Sequence, residues 1–323
     1  GYSAKPDGGY LKLQNGEKTW ELKVEGESLP QPFVLNGRWK FSVNTDNVLL
    51  INEWKVKIDH DGSGVESGYA ASQFDDNGWL TFRPGAWEMQ LPFERDVRDF
   101  PVILWYRCRF EIKELPSTLC LLIDGMKGKT TIYLNGQEVT GIKERSQIDA
   151  EIKTVAIENL VTTGINTMAI RIEVDEKVAG ILDPLKLVGK MSVQGEEDLW
   201  TITAPVQELT VGTWTTQGYP FFSGTGSYKK TFSLPESFTG KKTFLELECG
   251  DDVVEVEVNG KLAGTILWHP YRLDLTDLLV RGENSITISV TNTLINMLEG
   301  IKRPSGLLTE PRLVAYNKFS VQI

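Results

Sequence analysis

Apolar and polar residues alternate along most of this chain in short runs separated by turn residues. Phe244, Leu245 and Leu247 form one run, and Val254, Val256 and Val258 the next. A period of two predicts strands with one buried face. Asn259-Gly260 follows at once. Both residues tolerate positive φ, so the pair predicts a two-residue hairpin turn of the primed type, with the partner strand running from Leu262 to Leu267. Arg281-Gly282-Glu283-Asn284 reads as a second turn, leading into Ser285–Thr291 with Ile286, Ile288 and Val290 on one face. Repeated short strands between turns predict an all-β sandwich, and hardly one stretch has a convincing amphipathic helical period.

The same order of signals occurs earlier in the chain. Tyr106-Arg107-Cys108-Arg109-Phe110 matches Tyr228-Lys229-Lys230-Thr231-Phe232, and Leu115-Pro116 matches Leu234-Pro235. Ile132-Tyr133-Leu134-Asn135-Gly136 matches Val256-Glu257-Val258-Asn259-Gly260, and Gly164-Ile165-Asn166 matches Gly282-Glu283-Asn284. Gly180–Leu187 echoes Gly306–Leu313. An offset near ~120 residues is too long for a solenoid repeat and predicts two tandem domains.

These motifs resemble the sugar-binding jelly roll of family 2 glycoside hydrolases, a member of the galactose-binding-like group of β-sandwiches. The second copy is similar to the C-terminal region of family 106 α-L-rhamnosidase-like enzymes, through Phe222-Ser223-Gly224-Thr225-Gly226-Ser227-Tyr228 and Leu267-Trp268-His269-Pro270-Tyr271-Arg272. The resemblance implies two tandem galactose-binding-like β-sandwich (jelly-roll) domains, at residues 32–195 and 206–323. Leu35-Asn36-Gly37-Arg38-Trp39-Lys40-Phe41 resembles the opening strand of the family 2 domain. On that basis it is expected to lead into the first sandwich. Asp75-Asp76-Asn77-Gly78-Trp79 and Arg83-Pro84-Gly85-Ala86-Trp87-Glu88 resemble two further segments of that family. Trp39 and Trp79 are expected to pack, whereas Trp87 and Glu88 are expected to line a surface. Val211-Gly212-Thr213-Trp214 is a thin match to Gly37-Arg38-Trp39.

Residues 1–31 read as a hairpin turning at Asn15-Gly16, either a remnant of an upstream domain or an edge hairpin of the first sandwich. An isolated hairpin is marginal in water, so it is expected to add to another sheet. Gln194–Pro205, acidic and then apolar, is the expected linker. Phe319–Ile323 reads as a short closing strand.

Composition narrows the function. A net charge of −10 argues against nucleic acid or an anionic membrane as partner. No apolar run is long enough to span a bilayer. The three cysteines, Cys108, Cys120 and Cys249, lie within apolar strand patterns, which predicts buried thiols rather than disulfides. The expected location is extracytoplasmic (periplasmic, cell-surface or secreted), with an export signal removed ahead of Gly1.

Candidate chemistry is sparse. Glycoside hydrolysis needs two carboxylates across a sugar-sized cleft. In the families resembled, catalysis resides on a barrel of alternating strands and helices, for which this chain has no pattern. Asp75-Asp76, Asp251-Asp252 and Glu196-Glu197-Asp198 are sequence neighbours, and strand neighbours point to opposite faces, so no catalytic pair is expected. Asp59-His60-Asp61-Gly62-Ser63-Gly64 lacks the bidentate Glu of a calcium loop and reads as a solvated turn. His60 and His269 have no zinc-ligand spacing, and no cofactor motif is present. Binding remains. Sugar rings present an apolar C–H face and a hydroxyl rim, met by a flat aromatic ring and a few polar groups. Trp268, His269, Tyr271 and Arg272 supply those types in one segment. The alternative is that Trp268 and Tyr271 pack under the loop and Arg272 pairs with a local acid. Tyr219-Pro220-Phe221-Phe222 is expected to pack where the second sandwich meets its neighbour. The expected function is a non-catalytic carbohydrate-binding accessory region of a glycoside hydrolase, its partners being carbohydrate and a catalytic domain of the same longer chain. The alternatives are a stand-alone exported carbohydrate-binding protein and a hydrolase acting through an unrecognised cleft.

Overall fold

The computed structural model describes residues 2–3, 9–24, 28–92, 100–143, 151–196 and 199–318. It is all-β, with 48% strand and 5% helix. The alternation seen in the sequence builds two β-sandwiches.

In the first, Val102–Ile112 pairs antiparallel with Gly164–Val174 along their whole length, and Lys129–Leu134 extends the sheet. The facing sheet runs Lys153–Ala156, Leu119–Ile123, Leu185–Gly189, Asn47–Ile51. Tyr106, Phe110, Ile170 and Ile172 from one sheet meet Leu121, Leu187 and Leu49 from the other in one buried core. In the second sandwich, Thr225–Leu234 pairs with Gly282–Thr291, which pairs with Val253–Val258 and so reaches the edge strand Lys261–Ile266. Opposite lie Arg312–Lys318, Lys242–Glu246 and Arg272–Asp274.

The two sandwiches match in strand register. Leu121 is flanked by Val155 and Leu187, and Leu245 by Leu273 and Leu313. Both Asn-Gly turns have positive φ at each residue, 54° and 82° at Asn135-Gly136 and 52° and 76° at Asn259-Gly260, which suits a primed hairpin.

Strand pairing revises three sequence expectations. First, Trp39–Val43 pairs with Thr225–Leu234, setting Phe41 opposite Tyr228, and Phe33–Val34 pairs with Arg312–Lys318. The segment that opens with Leu35-Asn36-Gly37 therefore belongs to the second sandwich, and the strands of the first, Asn47 to Thr203, follow it in the chain before the second resumes. The first sandwich has its own equivalent strand, Trp54–Asp59, with Val56 opposite Tyr106. Trp54 meets Tyr106 edge-on at 6.2 Å, and Trp39 meets Tyr228 at 6.5 Å. Second, the counterpart of Gly212-Thr213-Trp214 is Gly85-Ala86-Trp87. Gly85 N donates to Ile181 O and Trp87 N to Ala179 O, as Gly212 N does to Leu307 O and Trp214 N to Ser305 O. Third, most of the expected linker is a hairpin, Ser192–Glu196 with Leu199–Thr203, whose second strand runs parallel to Val102–Ile112. Trp200 and Ile202 are buried there, which compensates for ordering the segment. Trp200 meets Phe221 at 5.4 Å, and Tyr219 and Phe222 join the second core, so this aromatic cluster packs at the junction of the sandwiches.

The hairpin Gly9–Asn15 with Lys18–Val24 pairs Asn15 with Lys18, so its loop is Gly16-Glu17 rather than Asn15-Gly16. Among the described residues its strands pair only with each other. Glu197, Asp198 and Phe319–Ile323 lie outside the described residues. Among those described, no helix is long and apolar enough to cross a membrane. All three thiols are free; Cys249 is buried, whereas Cys108 and Cys120 are partly exposed.

Candidate functional site

The edge strand Lys261–Ile266 ends by tucking Ile266 into the second core. The next two residues, Leu267 and Trp268, project outward, and Trp268 is 72% exposed. The backbone is pinned on its far side. His269 Nε2 lies 3.0 Å from Gly250 O, its ring meets Tyr271 edge-on at 4.6 Å, and the Tyr271 hydroxyl donates to Asp252 O at 2.6 Å. Tyr271 is buried and its phenol pKa is raised, chiefly by that burial. Glu248 Oε2 lies 3.8 Å from His269 Nδ1, and both side chains are about half exposed.

The four residues of the segment thus divide. Trp268 and His269 are presented to solvent, and Tyr271 is a buried anchor. Arg272 points from the outer face of the small sheet. Its guanidinium lies 3.9 Å from the Phe244 ring centroid and 4.3 Å from that of Tyr316, and Nε is 3.7 Å from Glu246. Glu246 also accepts from Arg312 Nη2 at 3.0 Å and from the Tyr316 hydroxyl at 3.2 Å. Arg272 is committed to this stacked and ion-paired cluster.

Trp87 is not at a surface. It is fully buried in the first core, and its Nε1 donates to Glu176 O at 3.1 Å. Its backbone N–H donates to Ala179 O and holds it inside, as that of Trp214 does to Ser305 O in the second sandwich. Glu88 is partly exposed and pairs with Lys177 at 3.0 Å. Trp39 is fully buried, and Trp79 is half-buried against Tyr69 and Phe74.

The acidic neighbours do separate work. Asp76 is buried between Arg107 at 2.8 Å and Arg109 at 2.7 Å. Burial works to raise its pKa, but the hydrogen bonds and charges of Arg109 and Arg107 outweigh it and hold the carboxyl below its usual value. Asp251 is exposed and pairs with Arg303 at 2.8 Å, whereas Asp252 is 2% exposed and, among the described residues, neither of its carboxylate oxygens has a hydrogen-bond partner. The Ser305 hydroxyl and Gly306 amide lie nearby without reaching bonding geometry, and burial raises the Asp252 pKa to about 6. Asp59 is not solvated. It is buried and accepts from Gly64 N at 3.0 Å and Trp105 Nε1 at 3.1 Å. Among the described residues, no three His, Cys, Asp or Glu side chains converge to hold a metal.

The exposed indole of Trp268 offers a stacking face, and the next residue in the chain, His269, lies near the Glu248 carboxylate. Sequence reasoning missed Glu248 and Gly250. Their only local signal is the turn Glu248-Cys249-Gly250-Asp251-Asp252, and only folding brings it beside residue 269.

No protein-family model matches the chain. A Formosa agariphila protein named as a beta-glucuronidase is 37% identical over 128 residues, covering 38% of this chain and 11% of its own length. The crystal structure of Ruminococcus gnavus beta-glucuronidase superposes over 72% of this chain and 39% of its own, with TM-score 0.38 and 13% identity. Its complex with uronic deoxynojirimycin gives TM-score 0.37, 13% identity, and coverage of 78% and 43%. The chain thus spans about one ninth of the curated relative and well under half of these structures.

Proposed function

We propose that this chain is a non-catalytic, carbohydrate-binding accessory region of a glycoside hydrolase, acting beside a catalytic domain in the same longer polypeptide and outside the cytoplasm. The observation that carries this reading is the exposed Trp268 ring on a loop anchored by Tyr271 and His269. Exposing a large indole forgoes burial that would stabilise the fold, and rigid strands beneath a loop favour recognition. The 37% identity with a segment of a much longer protein named as a beta-glucuronidase supports a hydrolase as parent. The finer likeness to family 106 α-L-rhamnosidases rests on the Phe222–Tyr228 and Leu267–Arg272 motifs. Within this reading the chain has two units, the second beginning with Phe33–Val43 and resuming after Thr203.

One exposed ring on an open surface supports only millimolar-range affinity, about −4 kcal/mol. The test is binding to a panel of soluble glycans by the native chain and by Trp268→Ala, with melting temperature followed in parallel. Lost binding with an unchanged melt supports the reading. Absence of binding by the native chain, or turnover of aryl rhamnosides, galactosides or glucuronides by it, counts against the reading.

A further inference from the structure

The duplication assigns a position in the first sandwich equivalent to the Trp268 loop. Leu121 and Leu245 are equivalent by register, as are Val155 and Leu273. Counting back from these partners sets Glu151–Lys153 level with His269–Tyr271, and counting forward sets Asp124 level with Glu248. In the second sandwich this end carries the exposed indole. In the first it carries a cleft of about 540 Å³, whose walls include Asp124, Met126, Ile142, Lys153 and Asp183.

We propose that this cleft is a second binding site, taking one uncharged sugar ring. The inference rests on the carbohydrate reading of the chain. Its volume falls in the range of roughly 300–1,000 Å³ usual for small-ligand sites. Its chemistry is mixed by construction. Met126 and Ile142 give apolar wall, suited to a C–H face. Asp124 and Asp183 give acceptors. Lys186, only 1% exposed, places its ammonium 3.1 Å from both Asp124 Oδ2 and Pro184 O. That buried charge orients the Asp124 carboxylate and leaves its second oxygen to accept another bond. The cleft also depends on a glycine. Gly125 has φ +45°, and an added Cβ would lie 1.9 Å from Asp183 Oδ2, so only glycine lets the Asp183 carboxylate close over this turn. Leu182 N donates to Gly125 O at 2.7 Å and ties the two loops together.

The charges of both signs select the ligand class. An anionic ring would meet Asp124, Glu151 and Asp183, and a cation would meet Lys127 and Lys153. A neutral ring donates hydroxyls to the carboxylates and accepts from the ammonium groups, and it leaves no charge unpaired.

Met126 serves as the reporter. The full chain, labelled at the methionine methyl carbons, is titrated with the methyl glycosides of galactose, glucose, mannose and rhamnose, with methyl glucuronide as the charged control. The expected result is a saturable shift of the Met126 methyl with at least one neutral glycoside. Asp183→Ala should weaken it by about tenfold or more, the effect of losing a hydrogen bond to a charged group. Trp268→Ala should leave it unchanged. Because Asp183 is exposed, its removal leaves the core intact, and the melting temperature confirms this. A Trp268 indole that responds while Met126 stays still overturns the second site and leaves the carbohydrate reading standing. A Met126 shift with the glucuronide alone overturns the neutral ligand class. No response of either group to any glycoside overturns both this site and the reading beneath it.

Discussion

The Asn135 side chain donates to the Asn166 carboxamide oxygen at 2.7 Å, and Asn259 makes the same bond to Asn284 at 2.8 Å. Each pair latches an Asn-Gly hairpin to the turn that opens the neighbouring long strand. Asn166 also accepts from Thr162 N and donates to Thr162 O and Gly164 O. Asn284 does likewise with Val280 N, Val280 O and Gly282 O. The return bonds are Thr167 N to Asn135 Oδ1 at 3.0 Å and Ser285 N to Asn259 Oδ1 at 2.9 Å. The two sandwiches therefore share a side-chain network as well as a strand order.

Asn166 and Asn284 are buried, so truncating either strands several backbone groups without partners. Asn284→Ala and Asn166→Ala should each cost roughly 2–4 kcal/mol. Guanidinium unfolding would register this as a lower midpoint. An unchanged midpoint would show that water replaces the network at no cost.

A second duplicated contact involves glycine and tyrosine. Gly306 has φ +107°, and a Cβ there would lie 2.5 Å from the Tyr228 hydroxyl; at Gly180, φ +99°, it would lie 2.4 Å from that of Tyr106. Gly306→Ala should destabilise by about 1–3 kcal/mol through strain and overpacking. Adding Tyr228→Phe should recover part of the loss, because it removes the clashing oxygen. A double-mutant cycle with zero coupling would contradict the contact.

Asp252 gives the protein an unusual pH dependence. Its folded-state pKa of about 6 lies above the ordinary carboxyl value of 3.8, because burial disfavours the charged form. The contribution to stability is whole below about pH 4 and is lost as pH rises through about 6. Asp252→Asn should flatten this part of the profile and stabilise the chain above pH 7, by an amount on the order of 3 kcal/mol at most. Melting curves at pH 5 and pH 8 test it. An Asn variant that is less stable than the native chain at pH 8 would refute it.

Asp76 works in the opposite sense. Its pKa is lowered by Arg109 and Arg107 despite burial, so its contribution is present above the ordinary carboxyl value and disappears as pH falls through the folded one. Asp76→Asn leaves the fully buried Arg107 without its counter-ion and should cost about 3–5 kcal/mol at neutral pH. The penalty should shrink as pH falls below the ordinary carboxyl value, because protonation of Asp76 in the unfolded chain then erodes the native chain's advantage. Equal penalties at pH 3 and pH 7 would show that the charge is not what matters.

Local chemistry was legible without a structure. The turns at Asn135-Gly136 and Asn259-Gly260 depend on the positive φ that Asn and Gly tolerate, and strand alternation depends on a two-residue period, so both can be read from a few neighbouring residues, whereas at Asn15-Gly16 strand pairing shifts the loop by one residue. Shared order of such signals likewise pointed to two units of similar strand order. Ownership of a strand could not be read in this way. Trp39-Lys40-Phe41 and Trp54-Lys55-Val56 carry the same local pattern, and only pairing with Tyr228 or Tyr106, far along the chain, decides which sandwich each completes. Burial is equally non-local. Trp87 and Trp268 both sit beside turn residues, yet one is sealed by the Ala179 and Ile181 carbonyls and the other is left at the end of an edge strand. Arg272 supplies a sugar-binding residue type in the same segment as Trp268, but of the two sequence readings the pairing with a local acid is the one the fold adopts. The strand pleat turns Arg272 to the face that holds Phe244, Tyr316 and Glu246, since successive side chains in a strand point to opposite sides.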